Sequence, residues 1–484
     1  MICMKYMPNK IIILPAVILL LALSPACNKL LTVPDNAGGQ LVTSKVFTDS
    51  LNATAGILGM YTSAALTNKS IDIYTGLTGD ELLYGGTSPA FSALYLDSLY
   101  AGSRTAAAPV ADIWTNFYSK NAIYQANAAL EGLAADQDST ISAVAKNQLI
   151  GECEVVRAFS YFNLVNLYGG VPLATTTSYQ ANAILPRTSV DLVYQQIIKD
   201  LLDAQGKMQP AYPSAGRQRP NRYTATALLA RVYLYRKQWA SAQAMADSVI
   251  KSGLYSLAPS LANVFLDNST EAVWQLGANS SSAPKSAPGG TPFYTTSPIL
   301  APAYMLAPSL TQAFEAGDVR KTTWTATMSG FWISGAGVTG TGSYSYATKY
   351  RNVGTNVFNN TTEDLMMVRL AEMYLIRSEA RAQQGDLAGA MQDVNIIRSR
   401  AGLNMPVTAA TLPEALGLIL HEGQVEFFCE WGHRWMDLKR MDSVGAVMSR
   451  VKPTSWPADG HAALYPISFG EFQANPYLTQ NPGY

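Results

Sequence analysis

Very few residues of this sequence could carry out chemistry. Histidine occurs three times, at His421, His433 and His461, and none has the H-E-x-x-H spacing that sets two imidazoles on one helix face for a metal ion. His421 is followed by Glu422 but has no second histidine four positions on. Gly335, Gly337 and Gly340 satisfy G-x-G-x-x-G, but they stand in a stretch rich in Ser, Thr and Tyr that predicts no strand before and no helix after. A dinucleotide site needs that context, so none is expected. Adjacent Asp80 and Glu81 would serve as glycosidase carboxylates only if the fold set them about 5–9.5 Å apart across a sugar, which adjacency does not predict. No P-loop and no G-x-S-x-G occurs. The expectation is a protein that is not an enzyme and has no cofactor. An irregular Ca²⁺ site leaves no spacing signature, and no EF-hand spacing is present.

The sequence does supply flat aromatic surface. Between Thr291 and Tyr350 ten aromatics fall in 60 residues, about 17% against 10% overall, with no helical period. Such rings suit the C–H face of a pyranose, whose hydroxyls would be met by amides, carboxylates and arginines, and Trp and Tyr have few rotamers to freeze. Residues 277–313 hold repeated Ser, Pro, Ala and Gly with one charge, Lys285, and predict a long irregular surface. So long a loop region is expected to be functional, and its aromatic content argues against disorder. A second zone of this kind is expected from Ile71 to Tyr124.

Helical repeats are the elements expected to position those loops. Two helix-turn-helix patterns, Ala227–Gly253 and Leu375–Gly402, superpose at their turns. Gly385 stands 148 positions after Lys237, and small alanines follow both, at Ala240 and Ala242 and at Ala388 and Ala390. Close-packed antiparallel pairs of this sort are found in tetratricopeptide repeats, whose period is about 34 residues. Trp114–Leu133 with Val144–Tyr168 is expected as another pair, and Val190–Met208 with Tyr223–Arg236 as overlapping units, so the repeats are interrupted rather than tandem.

The chain has 484 residues, of which 34 are Lys or Arg and 34 are Asp or Glu, only 14% charged. Its 48% hydrophobic content supports a large core, and a net charge of zero argues against a nucleic-acid partner. At the N-terminus, Lys5 and Lys10 lead into the apolar run Ile11–Leu23 and then Ser24, Pro25, Ala26 and Cys27. That run suits a signal peptide and is short of the roughly 20 residues a spanning helix needs. A Cys after a small residue predicts a lipoprotein: residues 1–26 are removed and Cys27 is acylated, tethering the body to a membrane without a spanning helix. Met4 and Met7 are further candidate starts. Cys153 and Cys429 sit in apolar helical patterns and are expected to be buried thiols; a bridge between them has no support in the sequence.

Several separate motifs, in order, carry a resemblance over nearly the whole mature chain. They are Cys27–Pro34 (CNKLLTVP), Glu152–Leu173 (ECEVVRAFSYFNLVNLYGGVPL), Leu365–Leu403 with its R-L-A-E-x-Y-L helix and N-x-I-R-x-R-A-G-L segment, Glu430–Arg440 (EWGHRWMDLKR) and Asn475–Tyr484 (NPYLTQNPGY). Together they resemble the SusD/RagB nutrient-uptake outer-membrane lipoproteins. One departure is that Glu422 is followed by Gly423 where the family carries Arg, which predicts slight local repacking.

The resemblance implies a mainly α fold, a SusD-like α-α superhelix with four tetratricopeptide-like units as scaffold and a loop-rich ligand-binding half. It divides the body 27–484 into an N-terminal part, 27–275, and a C-terminal part, 276–484, with loop-rich 277–360 and helices 364–440. It implies a surface-exposed protein that captures a glycan or other nutrient and delivers it to a SusC-type TonB-dependent transporter in the outer membrane, with no chemistry on the ligand. By analogy with the family, ligand contacts are expected from Asp80 and Tyr84, from Trp114, and from Phe293, Tyr294, Trp324 and Trp332 in the loops after the EAVWQL strand. Arg434, Asp437 and Arg440, spaced so that Asp437 can pair with either arginine on one helix face, are expected to be structural, as are Arg157, Glu379 and Arg398. The alternatives are a tetratricopeptide-like protein- or peptide-binding lipoprotein and, third, a glycan hydrolase.

Overall fold

A computed structural model describes residues 46–47, 49–61, 70–99, 108–118, 122–135, 140–277, 287, 293, 300–333, 339–352 and 361–484. Cys27, the leader and Tyr294 lie outside the described residues. The chain is mainly helical. Its first half contains α1 (Ser50–Tyr61), α2 (Ser70–Thr78), the short strand β1 (Leu82–Tyr84), α3 (Pro89–Tyr95), α4 (Ala108–Tyr118) and α5 (Ile123–Ala135). The described part of the zone from Ile71 to Tyr124 therefore consists largely of α2, β1, α3, α4 and the start of α5 rather than loop. The pattern misleads because α2 is buried on every side, Ile71, Tyr74 and Leu77 together with Asp72 and Thr75, so no polar stripe marks a period. Trp114–Leu133 is likewise two helices, α4 and α5.

The central helix α6 (Ala143–Tyr168) is capped by Ser142, whose side chain accepts from the Ala145 N–H, and α5 and α7 (Val190–Lys207) both pack on it. Its buried charges are all engaged or neutralised. Arg157 forks onto Asp200, with both bonds at 2.8 Å, and donates to Asn127. Glu152 accepts from Arg219 and Tyr61. Burial raises Glu154 to about 9, so it holds its proton at neutral pH. Cys153 and Cys429 are both buried, and neither is in a disulfide among the described residues.

The superhelix continues through α8 (Arg222–Tyr235) and α9 (Trp239–Ile250). After β2 (Ala272–Leu276), β3 (Tyr304–Leu306), β4 (Thr325–Ile333), β5 (Thr339–Ala347) and β6 (Leu365–Arg369), it resumes with α10 (Leu370–Gln383), α11 (Leu387–Arg400) and α12 (Leu412–Phe427). Helices α8 and α9, then α9 and α10, then α10 and α11 pack in succession. Thus the two recognised repeats are neighbours in space. Their turns share a left-handed residue, Lys237 at φ 56° and Gly385 at φ 89°. The chain closes with α13 (His433–Arg440), α14 (Val444–Val451) and α15 (Phe469–Ala474).

Among the described residues there are three two-stranded antiparallel sheets, β1–β3, β2–β6 and β4–β5, and the first two tie distant segments together. Two correct the expectation from sequence. Residues 365–369, expected as helix, form β6 opposite β2, and the aromatic zone contains the β4–β5 hairpin. The Gly335–Gly340 motif therefore does follow a strand, β4. Among the described residues the next element is another strand, β5, where a dinucleotide motif leads into a helix.

Much of the small charge complement is buried. Arg369 donates to Glu271, Glu426 and Glu430, and Arg320 to Asp318, Glu422 and Glu426. Lys349 donates to Glu430 at 2.5 Å. The network joins β2, β6, α12 and the segment before β4, which is how a chain with few charges fastens its irregular half to its helices.

Candidate functional site

Strands β1 and β3 pair in register, Leu82 with Leu306 and Tyr84 with Tyr304, and border two environments. One is an aromatic cluster. Tyr84 and Tyr304, both half-buried, lie 5.9 Å apart by ring centroids; Phe91 sits 5.6 Å from the first and 5.7 Å from the second, and Phe293 meets Tyr304 edge-on at 6.4 Å. The Tyr84 hydroxyl accepts from the Ser88 N–H at 2.8 Å. Burial pushes the Tyr304 hydroxyl well up, so it remains a neutral donor.

The other is a cavity of about 590 Å³, lined by Leu82, Leu83, Tyr95, Pro308 and Ser309 and by polar groups from the C-terminal segments, Gln424, Arg434, Arg450 and Lys452. It falls within the roughly 300–1,000 Å³ of small-molecule sites. Asp80 lies in its wall, with Arg434 donating to it at 3.0 and 2.8 Å. Lys452 donates to the Leu77 and Thr78 carbonyls at 2.7 and 2.9 Å and pairs with Asp97, and burial lowers it to about 8. Glu81 turns inward. Burial, and then repulsion from Asp80, raise its carboxyl to about 8 against the pull of Arg434, so it is protonated at neutral pH.

The seven sequence-derived candidates separate. Tyr84 and Phe293 join the aromatic cluster, and Asp80 lies in the cavity wall. Its carboxylate is committed to Arg434 and 2% exposed, so it braces the cavity rather than offering a free ligand group. Trp324 is not a surface platform, contrary to expectation. It is 1% exposed, donates from Nε1 to the Leu261 carbonyl at 3.0 Å and carries Lys349 Nζ 4.8 Å above its ring. The packing against Phe265 and Phe428 accounts for this: the ring fills core beneath the charge network. Trp332 belongs to β4 opposite Gly340, and its side chain, like Tyr294, lies outside the described residues. Trp114 is buried against Tyr118 and Tyr168, centroids 5.0 and 5.2 Å away. It floors a separate groove of about 320 Å³, with Tyr124, Tyr179 and Glu471 at its edges.

Sequence reasoning missed Tyr95, Gln424 and Arg450. Tyr304 was visible only as one of ten aromatics, and Asp437 was expected to pair with either Arg434 or Arg440. Of the two arginines Asp437 takes Arg440, at 2.7 Å, which also holds Glu379, and Arg434 goes to Asp80. Arg157 and Arg398 are ion-paired as expected, the latter to Glu315. Among the described residues no group of His, Cys, Asp and Glu is placed to hold a metal ion, and no helix is long and apolar enough to cross a membrane.

Comparison with known proteins gives two family matches. Residues 55–234 match a SusD-like family described as starch-binding and associating with the outer membrane, and residues 335–484 match the SusD family. SusD-like protein P25 of Formosa agariphila is 25% identical over 428 residues, covering 77% of this chain and 78% of that protein. Starch-binding protein SusD of Bacteroides thetaiotaomicron is 32% identical over 147 residues, 28% of this chain and 24% of that one. Among solved structures, a SusD superfamily protein from Bacteroides vulgatus superposes with a TM-score of 0.75 at 19% identity, over 91% of this chain and all of that one. This last likeness concerns the fold alone.

Proposed function

The chain belongs to the SusD/RagB family, and from that premise we propose that it is a surface-exposed, lipid-anchored glycan-binding protein of the outer membrane. Its ligand is captured at the β1–β3 sheet and delivered, unaltered, to a SusC-type TonB-dependent transporter. The observation that carries the reading is the juxtaposition of the Tyr84–Phe91–Tyr304 cluster with a polar-walled cavity of about 590 Å³. Aromatic faces and fixed hydrogen-bonding groups, side by side, are what a saccharide requires. Support for the anchor comes from Cys27 and the segment before it; support for the location and partner comes from the family.

The test is affinity electrophoresis of the protein lacking residues 1–27 through gels containing a panel of polysaccharides, with a reducing-end assay alongside. Retardation by a glycan without new reducing ends supports the reading. New reducing ends would establish a hydrolase. Absence of retardation by every glycan would favour the second reading, peptide capture, for which the apolar groove over Trp114 with exposed Tyr124 and Tyr179 is the specific observation.

A further inference from the structure

The cavity beside β1 is not neutral. Four of its lining residues carry charge, Asp80, Arg434, Arg450 and Lys452. Asp80 is consumed by Arg434, and the Lys452 ammonium by Asp97 together with two carbonyls. One positive charge, that of Arg450, is left over. Arg450 is exposed in the last turn of α14 and has no ion-pair or hydrogen-bond partner among the described residues.

Two further groups in the wall have unused capacity. Arg434, 7% exposed, gives Nε and Nη2 to Asp80, so its Nη1 takes no partner among the described residues. Gln424, also 7% exposed, spends its amide N–H on the Ser309 carbonyl at 3.4 Å, and its Oε1 accepts nothing among the described residues. Neither atom is sealed in the core, so both can exchange water for a ligand that enters the cavity. A guanidinium fork is the side chain best shaped to meet a planar carboxylate.

We infer that this cavity binds an acidic saccharide, a glycan bearing uronate carboxylates, with Arg450 and the free edge of Arg434 on the carboxylate and Gln424 on a neighbouring hydroxyl. The inference rests on the glycan-binding reading and deepens it. Electrostatic recognition in a part-enclosed site outlasts moderate salt better than attraction to an open surface does, and here it selects against the same sugar without its charge.

The experiment uses the protein lacking only its leader and Cys27, run against polyuronates, their carboxyl-reduced counterparts, and neutral glycans. The expected result is retardation by a polyuronate, loss of that retardation on carboxyl reduction, and at least a tenfold weaker affinity for Arg450→Gln. Arg450→Lys should fall between, and Lys146→Gln, on a distant helix, should bind as the parent does. An arginine in a last helical turn also favours the helix dipole. If that were the whole role of Arg450, the glutamine variant would lose stability and keep its affinity, which overturns the inference. Retardation by neutral glycans only would also overturn it while leaving the glycan-binding reading intact. Retardation by no glycan would remove both.

Discussion

Asp80 and Arg434, 354 positions apart in the chain, form a two-bond ion pair at 3.0 and 2.8 Å in the wall of the cavity. Removing one partner strands a buried charge, so Asp80→Ala should cost about 3–5 kcal/mol, read as a shift in the urea midpoint. Asp80→Ala combined with Arg434→Met should recover most of that loss, because no unpaired charge remains.

Glu81→Gln should be a pH-dependent stabiliser. The folded carboxyl is raised from 4.5 to about 8, so the folded state binds its proton more tightly than the unfolded state. The stability this provides is complete below about pH 4.5 and drains away as pH rises through 8. The glutamine variant cannot ionise. It should match the parent at pH 4.5 and exceed it by about 4 kcal/mol at pH 8, by chemical denaturation at both values.

The network around Arg369 has the opposite sign. Despite burial, Arg369 and Lys349 hold Glu430 down at about 2, and the contribution of such a carboxylate is present above its unfolded value of 4.5 and lost as pH falls towards 2. A thermal-melt series should be flat through Glu430 near neutrality and steepen below about pH 4.5. Glu430→Gln should flatten the acid limb and lower stability at pH 7.

Aromatic substitutions should sort by burial. Trp324→Ala should cost about 3–5 kcal/mol and leave the glycan affinity of the folded fraction unchanged. Tyr84→Ala with Tyr304→Ala should leave the melt within a few degrees and weaken glycan affinity by about tenfold or more, as calorimetry would read it.

Lys237→Gly should stabilise by about 0.5–1 kcal/mol, since a non-glycine residue is held at φ 56° where the equivalent turn uses Gly385. Its contact with Asp442, at 3.5 Å between exposed groups, is worth little. A rise in melting temperature is the readout.

The helical scaffold was legible because its signals are local. The turns at Lys237 and Gly385 announce themselves by short-range pattern, as do the apolar runs of α6 and α8. The β1–β3 and β2–β6 pairs were not, because each strand has five residues or fewer and its partner lies far off in sequence. Trp324 shows the same limit from the other side. A tryptophan in a polar, aromatic-rich stretch reads as exposed, and only the arrival of Lys349, Phe265 and Phe428 from elsewhere buries it. Asp80 was legible as a candidate and undecidable between ligand and brace until Arg434 came into contact. Arg450 carried no signal at all, since a lone arginine near a helix end is ordinary.

The pairing of Leu276 with Leu365 bears on how such a protein could diverge. Residues 277–364 leave the scaffold and return to it at facing positions of one ladder, so the entropy of closing that excursion is met by the β2–β6 pair whatever its length. Within it, Tyr304–Leu306, held by β1, and the stretches around Arg320, Trp324 and Lys349, locked into the charge network, must be kept. Between those fixed points the excursion can lengthen, shorten or be exchanged, so the surface it presents can be rewritten while the helices are inherited intact.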